Sequence, residues 1–444
     1  MCDYNNISVK ILSMEYMKVK VKISTLGCKV NQQESEELYA RFRALGFETA
    51  GRGEAADVYV INSCTVTAAA DSKTRQKIRQ ARAENPMALV CVVGCWVTAG
   101  GGDMPEVDVT IGSADKERTA DILVEELQKR IGSDGRQSAT ALPKGDGSYG
   151  RTRAFLKVQD GCDRFCAYCV VPYARGAVRS KPSSEVLAEA EELIESGYKE
   201  IVLTGINLAL FGQGEGFRIQ DVGDVALGTL VEKICGLPGE FCVRLGSLEP
   251  TVVDAETAVR IAGVKGVCPQ LHLSLQGGAA RTLEKMGRKY TPEDYAGILE
   301  ALRGLDPLFG ITTDVIVGFP GETDADFEES LDFVQRMDFA RVHVFKYSKR
   351  PGTKAAEMKG QVPEEVKNKR SKRMIEAGEE SAARFLVRNE GAKRQTLIFG
   401  PDKSGKYIRG LTDNGIDVRL PASSRCVTNT FFDLILEEEN GWGV

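Results

Sequence analysis

The sequence predicts an α/β protein with three parts: an N-terminal open parallel sheet, a central partial (βα)6 barrel of the TIM type and a small C-terminal β-barrel. Between residues 17 and 373, short apolar runs of strand length alternate with amphipathic helical segments, which is typical of βα units in parallel sheets. After residue 375, short strands follow one another and are separated only by turn signals. The 444-residue length fits about three domains.

The composition is that of an ordinary globular protein, with 42% hydrophobic and 27% charged residues. The sequence contains no uninterrupted apolar run of about 20 residues, which is the length a transmembrane helix needs. We therefore expect no membrane association. Residues 1–18 lack the apolar core of a signal peptide. Twelve cysteines without an export signal indicate a reducing compartment, the cytoplasm, and metal or redox use. The net charge of −5 means that any nucleic-acid surface must be local.

The first part, residues 17–142, alternates strands and helices and therefore predicts a mostly parallel sheet covered on both faces. The strands are expected at Val19–Thr25, Asp57–Ile61, Ala88–Val93 and Val107–Ile111, and the helices at Gln33–Leu45, Asp71–Glu84 and Thr119–Ile131. Residues 132–150 are rich in Gly, Ser and Asp, which is typical of a linker.

Three cysteines follow the first three strands of this part: Cys28, Cys64 and Cys95. Because ligands of open α/β sheets bind outside the carboxyl ends of the strands, these thiols are expected to meet at one edge and to form a three-thiolate cluster site. The alternative is that they are buried, inert cysteines. Cys91 competes with Cys95, but Cys95 follows Gly94 at the strand end, as Cys28 follows Gly27. The remaining cysteines, Cys2, Cys235, Cys242, Cys268 and Cys426, are interpreted as small apolar residues.

The second part, residues 151–373, contains six strand candidates separated by helices, which predicts an open version of the parallel barrel. The strands are Phe155–Gln159, Glu200–Thr204, Phe241–Leu245, Leu271–Leu275, Thr313–Val317 and Arg341–Phe345. The helices include Ser184–Ser196, Leu227–Cys235, Pro292–Leu302 and Ala325–Met337. Ser183 and Thr291 are expected to be N-caps, and Gly197 a helix stop.

The loop after the first barrel strand carries Cys162, Cys166 and Cys169 in a CxxxCxxC spacing. A cubane iron–sulfur cluster normally takes four thiolates, so three would leave one iron open to a substrate or cofactor. A mixed Cys/His zinc site is poorly supplied, because both histidines of the chain are far away in sequence. A disulfide knot is typical of small secreted domains.

Three other loops after barrel strands are rich in small and polar residues: Thr204-Gly-Ile-Asn207, Gln276-Gly-Gly278 and Gly318-Phe-Pro-Gly-Glu322. Glycines allow a ligand to approach the backbone closely. Together, on the face of the barrel where active sites lie, these loops predict a bound small molecule.

The last part, residues 375–441, predicts four strands with turns at Lys403-Ser-Gly and Asp413-Asn-Gly, a small β-barrel of the kind that binds nucleic acid. From residue 367 to residue 419 there are thirteen Lys/Arg and seven Asp/Glu, so basic charge is concentrated here. The candidate RNA contacts are Lys367, Lys369, Arg370, Lys372 and Arg373, and the alternative is a solvated helix face.

The run Gly-Cys-Asp-Arg-Phe-Cys-Ala-Tyr-Cys-Val-Val-Pro-Tyr-Ala-Arg-Gly, residues 161–176, resembles the radical S-adenosylmethionine (SAM) methylthiotransferases. So do Thr25-Leu-Gly-Cys-Lys-Val-Asn31, Ile61-Asn-Ser-Cys-Thr-Val-Thr67 and Val93-Gly-Cys95. The resemblance covers nearly the whole chain and implies an N-terminal cluster domain, a radical SAM barrel and a C-terminal TRAM domain. The Cys-Lys-Val-Asn and Pro-Tyr-Ala-Arg-Gly strings are most similar to enzymes that act on N6-threonylcarbamoyladenosine beside the tRNA anticodon.

The resemblance implies that Cys162, Cys166 and Cys169 hold a radical SAM [4Fe-4S] cluster, whose open iron chelates SAM, and that Cys28, Cys64 and Cys95 hold an auxiliary [4Fe-4S] cluster that carries the sulfur. One SAM supplies a methyl group and another gives a 5′-deoxyadenosyl radical; no catalytic side-chain acid or base is implied. The SAM site is expected in the post-strand loops, at Thr204, Gly205, Gln276, Gly318 and Glu322.

The partners implied are tRNA, an electron donor of the flavodoxin or ferredoxin type and a sulfur donor of unknown identity. An unstacked base in an RNA loop can be presented singly to such a site. The alternatives are methylthiolation of isopentenyladenosine in tRNA or of a ribosomal protein, and a non-enzymatic iron–sulfur RNA-binding sensor.

Overall fold

The computed structural model describes residues 19–51, 53–131, 152–213 and 226–437, which fall into two compact units. The first unit is Met1–Gly147 with Cys169–Gly176, and the second is Ser148–Tyr168 with Ala177–Val444. The segment Cys169–Gly176, which the sequence places in the barrel part, belongs to the first unit, and the C-terminal strands belong to the same unit as the barrel. The expectations for residues 1–18 and for the linker lie outside the described residues.

The first unit is built on a parallel sheet of five strands in the order β2-β1-β3-β4-β5. The strands are β1 (Lys20–Thr25), β2 (Glu48–Thr49), β3 (Val58–Ser63), β4 (Leu89–Gly94) and β5 (Val109–Ile111). The helices are α1 (Lys29–Ala44), α2 (Ala68–Glu84), α3 (Cys95–Thr98), α4 (Thr119–Ile131) and α5 (Val171–Arg175), with a 3-10 helix at Ser113–Arg118. The predicted strands and helices are present, and α1 begins four residues before its predicted start.

The central strands of this sheet are buried on both faces, which explains their continuous apolar sequence. Side chains alternate along β3, so Val58 and Val60 pack in one core while Tyr59 and Ile61 pack in the core on the opposite face. Helices therefore cover both faces, and only the strand ends are left for a site.

The second unit contains the six predicted parallel strands of a partial barrel. Its strands are β6 (Arg153–Asp160), β7 (Arg179–Ser180), β8 (Glu200–Gly205), β9 (Cys242–Leu245), β10 (Ser247–Leu248), β11 (Gln270–Leu273), β12 (Gly310–Val317) and β13 (Arg341–Lys346). The short β7 pairs antiparallel with β6. Gly246 alone separates β9 from β10. Val243 of β9 forms a parallel bridge with Val267, which precedes β11, so the parallel strands continue from β9 to β11.

Helices follow most of these strands, and most of them pack around one large apolar core, whereas Ala355 of α12 belongs to a smaller apolar cluster. They are α6 (Ser183–Glu195), α7 (Ala226–Cys235), α8 (Ala255–Ala262), α9 (Ala280–Met286), α10 (Pro292–Leu305), α11 (Asp324–Met337), α12 (Lys354–Glu357) and α13 (Glu364–Asn389). None of the helices in the described ranges is both long enough and apolar enough to cross a membrane.

The predicted helix ends are mostly correct. Thr291 caps α10 in a reciprocal capping box with Asp294. Gly197, at φ +86°, follows the C-cap of α6 and allows the chain to turn away. The N-cap prediction for Ser183 is wrong: Pro182 is the N-cap and Ser183 is the first helical residue, because the fixed φ of proline already suits a helix entrance.

The four predicted C-terminal strands form an antiparallel sheet in the order β16-β15-β14-β17. They are β14 (Lys393–Pro401), β15 (Tyr407–Thr412), β16 (Asp417–Pro421) and β17 (Phe431–Ile435). The turn between β15 and β16 inserts into the amino-terminal end of the barrel. There Arg244 donates to the carbonyl oxygens of Thr412 (3.1 Å) and Asp413 (3.0 Å), and the buried Asn414 donates to that of Leu308 (2.9 Å). The turn thus fixes the small sheet to the barrel end opposite the post-strand loops.

Candidate active site

Three cysteines of the first unit lie at one edge of its sheet, as the sequence predicts. Cys28 is the N-cap of α1, Cys64 directly follows β3, and Cys95 is the first residue of α3. Burial raises the pKa of the Cys64 thiol, and negative charge on Cys95 and Cys28 raises that pKa further. Cys28 and Cys95 are therefore close enough to Cys64 for their charge to affect its thiol.

Glycines turn the chain immediately before two of these cysteines. Gly27 has φ +107° and Gly94 has φ +103°, values that favour glycine. A Cβ atom at Gly27 would lie 2.8 Å from Cβ of Cys64, so the backbone before Cys28 approaches Cys64 closely. Cys91, in contrast, is completely buried among apolar side chains of the sheet, and burial raises the pKa of its thiol. This placement favours Cys95 over Cys91 as the third member of the group.

Arg175 of α5 contacts this group from within the same unit. Its Nε donates to Sγ of Cys95 (3.3 Å), its Nη1 to Oε1 of Glu34 (2.6 Å), and its Nη2 to Oδ1 of Asn31 (2.6 Å). The side chain of Arg175 is 2% exposed. Nδ2 of Asn31 in turn donates to the carbonyl oxygens of Leu26 (2.7 Å) and Ser63 (3.0 Å), which precede Cys28 and Cys64. One guanidinium and one amide thus connect the chain segments that carry all three cysteines.

The second cysteine set lies in the loop after β6. Cys162 and Cys166 belong to the second unit, whereas Cys169 begins the segment that belongs to the first unit. Burial raises the pKa of both Cys162 and Cys166, which are half-buried and buried respectively. A hydrogen bond from Asn207 lowers the pKa of Cys162, and the nearby charge of Arg288 lowers that of Cys166. Both neighbours therefore favour the thiolate forms that metal binding requires.

Glu249, which follows β10, organises the polar surroundings of this loop. Its carboxylate accepts from Nδ2 of Asn207 (2.8 Å) and Nη1 of Arg288 (2.9 Å), and it lies 3.3 Å from Nε of Arg164. Nη2 of Arg288 also donates to the hydroxyl of Tyr168 (2.7 Å). One buried carboxylate therefore links the cysteine loop to Asn207, which follows β8, and to Arg288, which follows α9.

Gln159, near the end of β6, fixes the start of the cysteine loop. Its Nε2 donates to the carbonyl oxygen of Gly161 (2.7 Å), and its Oε1 accepts from the backbone N–H of Asn207 (2.8 Å). A Cβ atom at Gly205 would lie 2.8 Å from the same Oε1, so a side chain here would disturb the position of the Gln159 amide.

The five predicted SAM contacts all lie at the carboxyl ends of barrel strands, but they differ in what they offer a ligand. Thr204 is buried within β8, and Gln276, at φ +65°, bridges to β12 through its backbone. Oε2 of Glu322 accepts from the backbone N–H of Gly318 (2.7 Å) and from Nη1 of Arg370 (2.6 Å). Burial raises the pKa of Glu322, although these two donors oppose that shift. Glu322 therefore stabilises the loop after β12, and its contact with SAM stays a prediction.

Of the five predicted RNA contacts on α13, some side chains are exposed and others are held by neighbouring residues. Arg370 is buried in ion pairs with Glu322 and Asp324, and Arg373 forms two hydrogen bonds to Glu328. The prediction is therefore wrong for Arg370, because a buried guanidinium held by two carboxylates is not available to a phosphate. Lys367 lies against Tyr347 and is only 12% exposed, whereas Lys369 and Lys372 are exposed.

A third group of chemistry-bearing residues lies at the amino-terminal end of the barrel. Ligand atoms of Glu200, Cys242 and Cys268 come within 4.8 Å of one another. Arg153 and Arg244 both form ion pairs with the Glu200 carboxylate, and two guanidinium cations disfavour a metal cation there. Cys242 and Cys268 are thus part of a buried polar group and not simply small apolar residues.

Arg175, Glu249 and Arg288 are candidate site residues that were not predicted from the sequence, and Asn207 was predicted only as part of its loop. Asn207 and Glu249 are polar residues just after strand ends, which is the signal that could have identified them. Arg175 lies in the quoted Pro-Tyr-Ala-Arg-Gly string. Arg288 follows a short helix and carries no local signal, because only the tertiary fold brings it to Glu249.

Comparisons with known proteins agree with this architecture. Residues 20–112 match the uncharacterized protein family UPF0004, and residues 156–334 match the radical SAM superfamily. A chain of the radical SAM methyltransferase TsrM from Kitasatospora setae has a TM-score of 0.52 at 15% identity, with 74% of this chain and 73% of that chain covered. This likeness shows the shared fold.

Curated relatives are similar over most of the chain. The threonylcarbamoyladenosine tRNA methylthiotransferase MtaB of Bacillus subtilis is 37% identical, with 90% of this chain and 89% of the relative covered. The protein of the same name from Thermotoga maritima is 38% identical, with 85% and 86% covered. A tRNA-2-methylthio-N(6)-dimethylallyladenosine synthase of Clostridium novyi is 33% identical, with 88% of each chain covered. With this identity over nearly its full length, the chain belongs to the family of radical SAM tRNA methylthiotransferases.

Proposed function

We propose that this protein inserts a methylthio group at carbon 2 of N6-threonylcarbamoyladenosine in tRNA. The observation that carries the proposal is the pair of cysteine triplets at strand ends in a chain whose relatives named MtaB are 33–38% identical to it. A single triplet would suit many radical SAM reactions, whereas a second triplet on a separate sheet provides a site for the transferred sulfur.

Cys162, Cys166 and Cys169 are proposed to hold the radical SAM [4Fe-4S] cluster, and Cys28, Cys64 and Cys95 the auxiliary [4Fe-4S] cluster. The donor sets fit this assignment, because each offers three thiols and no histidine, and three thiolates leave one iron of a cubane open. Cys91 is excluded as a replacement for Cys95, because its thiol lies in the apolar core. When bound, SAM and the clusters supply the one-electron chemistry that activates a C–H bond.

The residues around the cysteine loop have the role of holding it in place. Gln159 fixes its beginning, and Asn207 and Arg288 place hydrogen-bond donors and positive charge beside Cys162 and Cys166. Glu249 pairs with both Arg288 and Arg164, so one carboxylate offsets part of the positive charge beside the loop. Thr204, Gly205, Gln276 and Gly318 are proposed to border the SAM site.

The proposed surface for tRNA includes the exposed lysines of α13, Lys369 and Lys372, and two arginines of the small C-terminal sheet. Arg409 of β15 lies directly opposite Arg419 of β16, and both side chains are exposed. Within the described residues neither guanidinium has an ion-pair or hydrogen-bond partner. Like charges directly opposite in a sheet are destabilising, so this pair suits a surface that binds phosphates. The sheet is proposed to be a TRAM domain.

A flavodoxin- or ferredoxin-type protein is proposed as the electron donor, and the cytoplasm as the location. The sulfur donor is a further partner that the reaction requires.

Nucleoside analysis of tRNA tests the proposal. A strain that lacks the gene should lose 2-methylthio-N6-threonylcarbamoyladenosine and accumulate the unthiolated nucleoside. The wild-type gene should restore the product, and the Cys64→Ala gene should not. Loss of the 2-methylthio group from isopentenyladenosine instead would favour the second candidate substrate, which relatives 30–34% identical support by name. An unchanged nucleoside profile would exclude both.

A further inference from the structure

We infer that Arg175 is a positioning residue for the auxiliary cluster, in that it donates a hydrogen bond to the Cys95 thiolate and thereby sets the reduction potential of the cluster. The inference rests on the proposed function, because it takes Cys28, Cys64 and Cys95 as cluster ligands.

The first support is the geometry of the guanidinium. Its three nitrogens reach three different acceptors: Sγ of Cys95, Oε1 of Glu34 and Oδ1 of Asn31. Only a planar fork with several fixed N–H directions can do this, and a lysine ammonium cannot span the same three atoms. The orientation of the Nε–H toward the sulfur is therefore fixed by the two other bonds.

The second support is the buried positive charge beside Cys95. The side chain of Arg175 is 2% exposed and donates to Sγ of Cys95. Glu34 accepts from Arg175 and also pairs with Lys116, and the side chains of Lys116 and Glu34 are each only 9% exposed. A [4Fe-4S]2+ core with three thiolates would carry one negative charge, so a guanidinium at this place would stabilise the bound cluster.

The third support is the position of Arg175 in the chain. It comes six residues after Cys169, on a helix that packs in the first unit. The same short segment thus contributes a proposed ligand of the radical SAM cluster and a donor to the auxiliary group. Hydrogen bonds to ligand sulfurs and nearby positive charge stabilise the reduced cluster, so they raise its reduction potential.

The experiment uses the full chain with Cys162, Cys166 and Cys169 all changed to Ala, so that only the auxiliary site can hold a cluster. This parent and its Arg175→Gln and Arg175→Lys derivatives are reconstituted anaerobically, and the midpoint potential of the cluster is measured by a redox titration followed by EPR. We expect a more negative midpoint potential in R175Q, and a smaller shift in the same direction in R175K, which keeps the charge but not the fork.

Lys116→Gln is the matched control. It removes the other cation that pairs with Glu34, but Lys116 makes no hydrogen bond to Cys95 among the described contacts. Its shift should therefore be smaller than that of R175Q, and equal shifts would mean that charge alone acts. Melting temperatures of the apo forms report any purely structural role, which would lower stability without moving the potential.

The outcomes separate the two hypotheses. A loaded R175Q cluster with the potential of the parent would overturn the role of Arg175 and leave the proposed function intact. A parent that binds no cluster would overturn the auxiliary-site assignment, and with it the proposed function. If R175Q does not fold, R175K decides, because an unchanged potential in that variant contradicts the requirement for the guanidinium fork.

Discussion

Two cysteines four residues apart have different roles because of one glycine. Cys91 and Cys95 would point to the same face if β4 continued, but the strand ends at Gly94, whose φ of +103° turns the chain into α3. Cys91 therefore stays in the apolar core, and Cys95 reaches the edge where Arg175 contacts it.

We predict that Cys64→Ala lowers the iron content, whereas Cys91→Ala lowers the stability and leaves the iron content unchanged. After anaerobic reconstitution the wild-type chain should bind about eight iron and eight sulfide per chain, and C64A about four of each, because one cubane is lost. C91A should keep all eight but unfold with a free energy lower by about 1 kcal/mol, since it removes a buried side-chain atom. Iron and sulfide assays with urea unfolding measure both, and a C91A protein with half the iron would reverse the assignment.

Cys162→Ala should separate the two sites by reaction step. We expect no reductive cleavage of SAM in C162A, while C64A retains some cleavage but forms no methylthiolated product. Anaerobic assays that quantify 5′-deoxyadenosine and thiolated tRNA give both results. Full product formation by C64A would contradict the role of the auxiliary site.

Glu249 is expected to be critical because it is the shared carboxylate of Arg164 and Arg288. Glu249→Gln removes the carboxylate that pairs with the buried Arg288, and breaking a buried ion pair typically costs about 3 kcal/mol. We predict a loss of that size in the free energy of unfolding of the apo chain. Glu256→Gln, on the exposed face of α8, is the matched control and should change stability by less than about 0.5 kcal/mol. Equal free energies of unfolding for the two variants would show that Glu249 does not stabilise the fold.

At the scale of elements, local pattern was sufficient for most strands and helices but not for what they contact. Thr119–Ile131 and the start of α10 at Pro292 agree with prediction to the residue, because apolar period and capping signals are local. The turn Asp413-Asn-Gly415 was also predicted, yet its insertion into the barrel end depends on Arg244, about 170 positions earlier in the chain. Likewise, the burial of Arg370 follows from Glu322 and Asp324 on another loop, which no pattern within α13 indicates.

The buried ion pairs at the amino end of the barrel predict a pH-dependent stability. Burial alone would raise the pKa of Glu200, but Arg244 and Arg153 outweigh burial and hold that pKa below its usual value. A carboxylate with a lowered folded-state pKa contributes stability above its unfolded pKa of about 4.3, and that contribution is lost as the pH falls through the folded pKa.

Glu200→Gln should therefore lower the free energy of unfolding by about 3 kcal/mol at pH 7. The difference between wild type and E200Q should shrink as the pH falls below about 4. Urea unfolding of the apo chain at a series of pH values measures this difference, and a constant difference from pH 7 to pH 3 would contradict the assignment.

At the scale of the whole molecule, an acidic chain presents local positive surfaces. The net charge is −5, yet Arg409 and Arg419 lie opposite each other on exposed strands, two residues from the exposed Tyr407. The basic residues of α13 are different, because acidic neighbours neutralise several of them: Asp324 pairs with Arg370, and Glu328 pairs with Arg373. Electrostatic attraction to RNA is therefore expected to depend on few side chains, and the arginine pair of the small sheet is the clearest of them.

Changing both arginines should weaken tRNA binding and its dependence on salt. If each guanidinium neutralises one phosphate, Arg409→Gln with Arg419→Gln should reduce the slope of log K against log salt by up to about two.

The charge-matched control changes Arg260 and Lys129 to Gln. These residues are paired with Glu232 and Glu126 on other surfaces, so the control should leave the slope unchanged. Filter binding of tRNA between 50 and 200 mM salt, about the range where such slopes are usually measured, gives the values. SAM cleavage without tRNA should be equal in both double variants, because neither touches the cysteine loops. An unchanged slope in R409Q/R419Q would place the tRNA surface elsewhere, with Lys369 and Lys372 of α13 as the next residues to change.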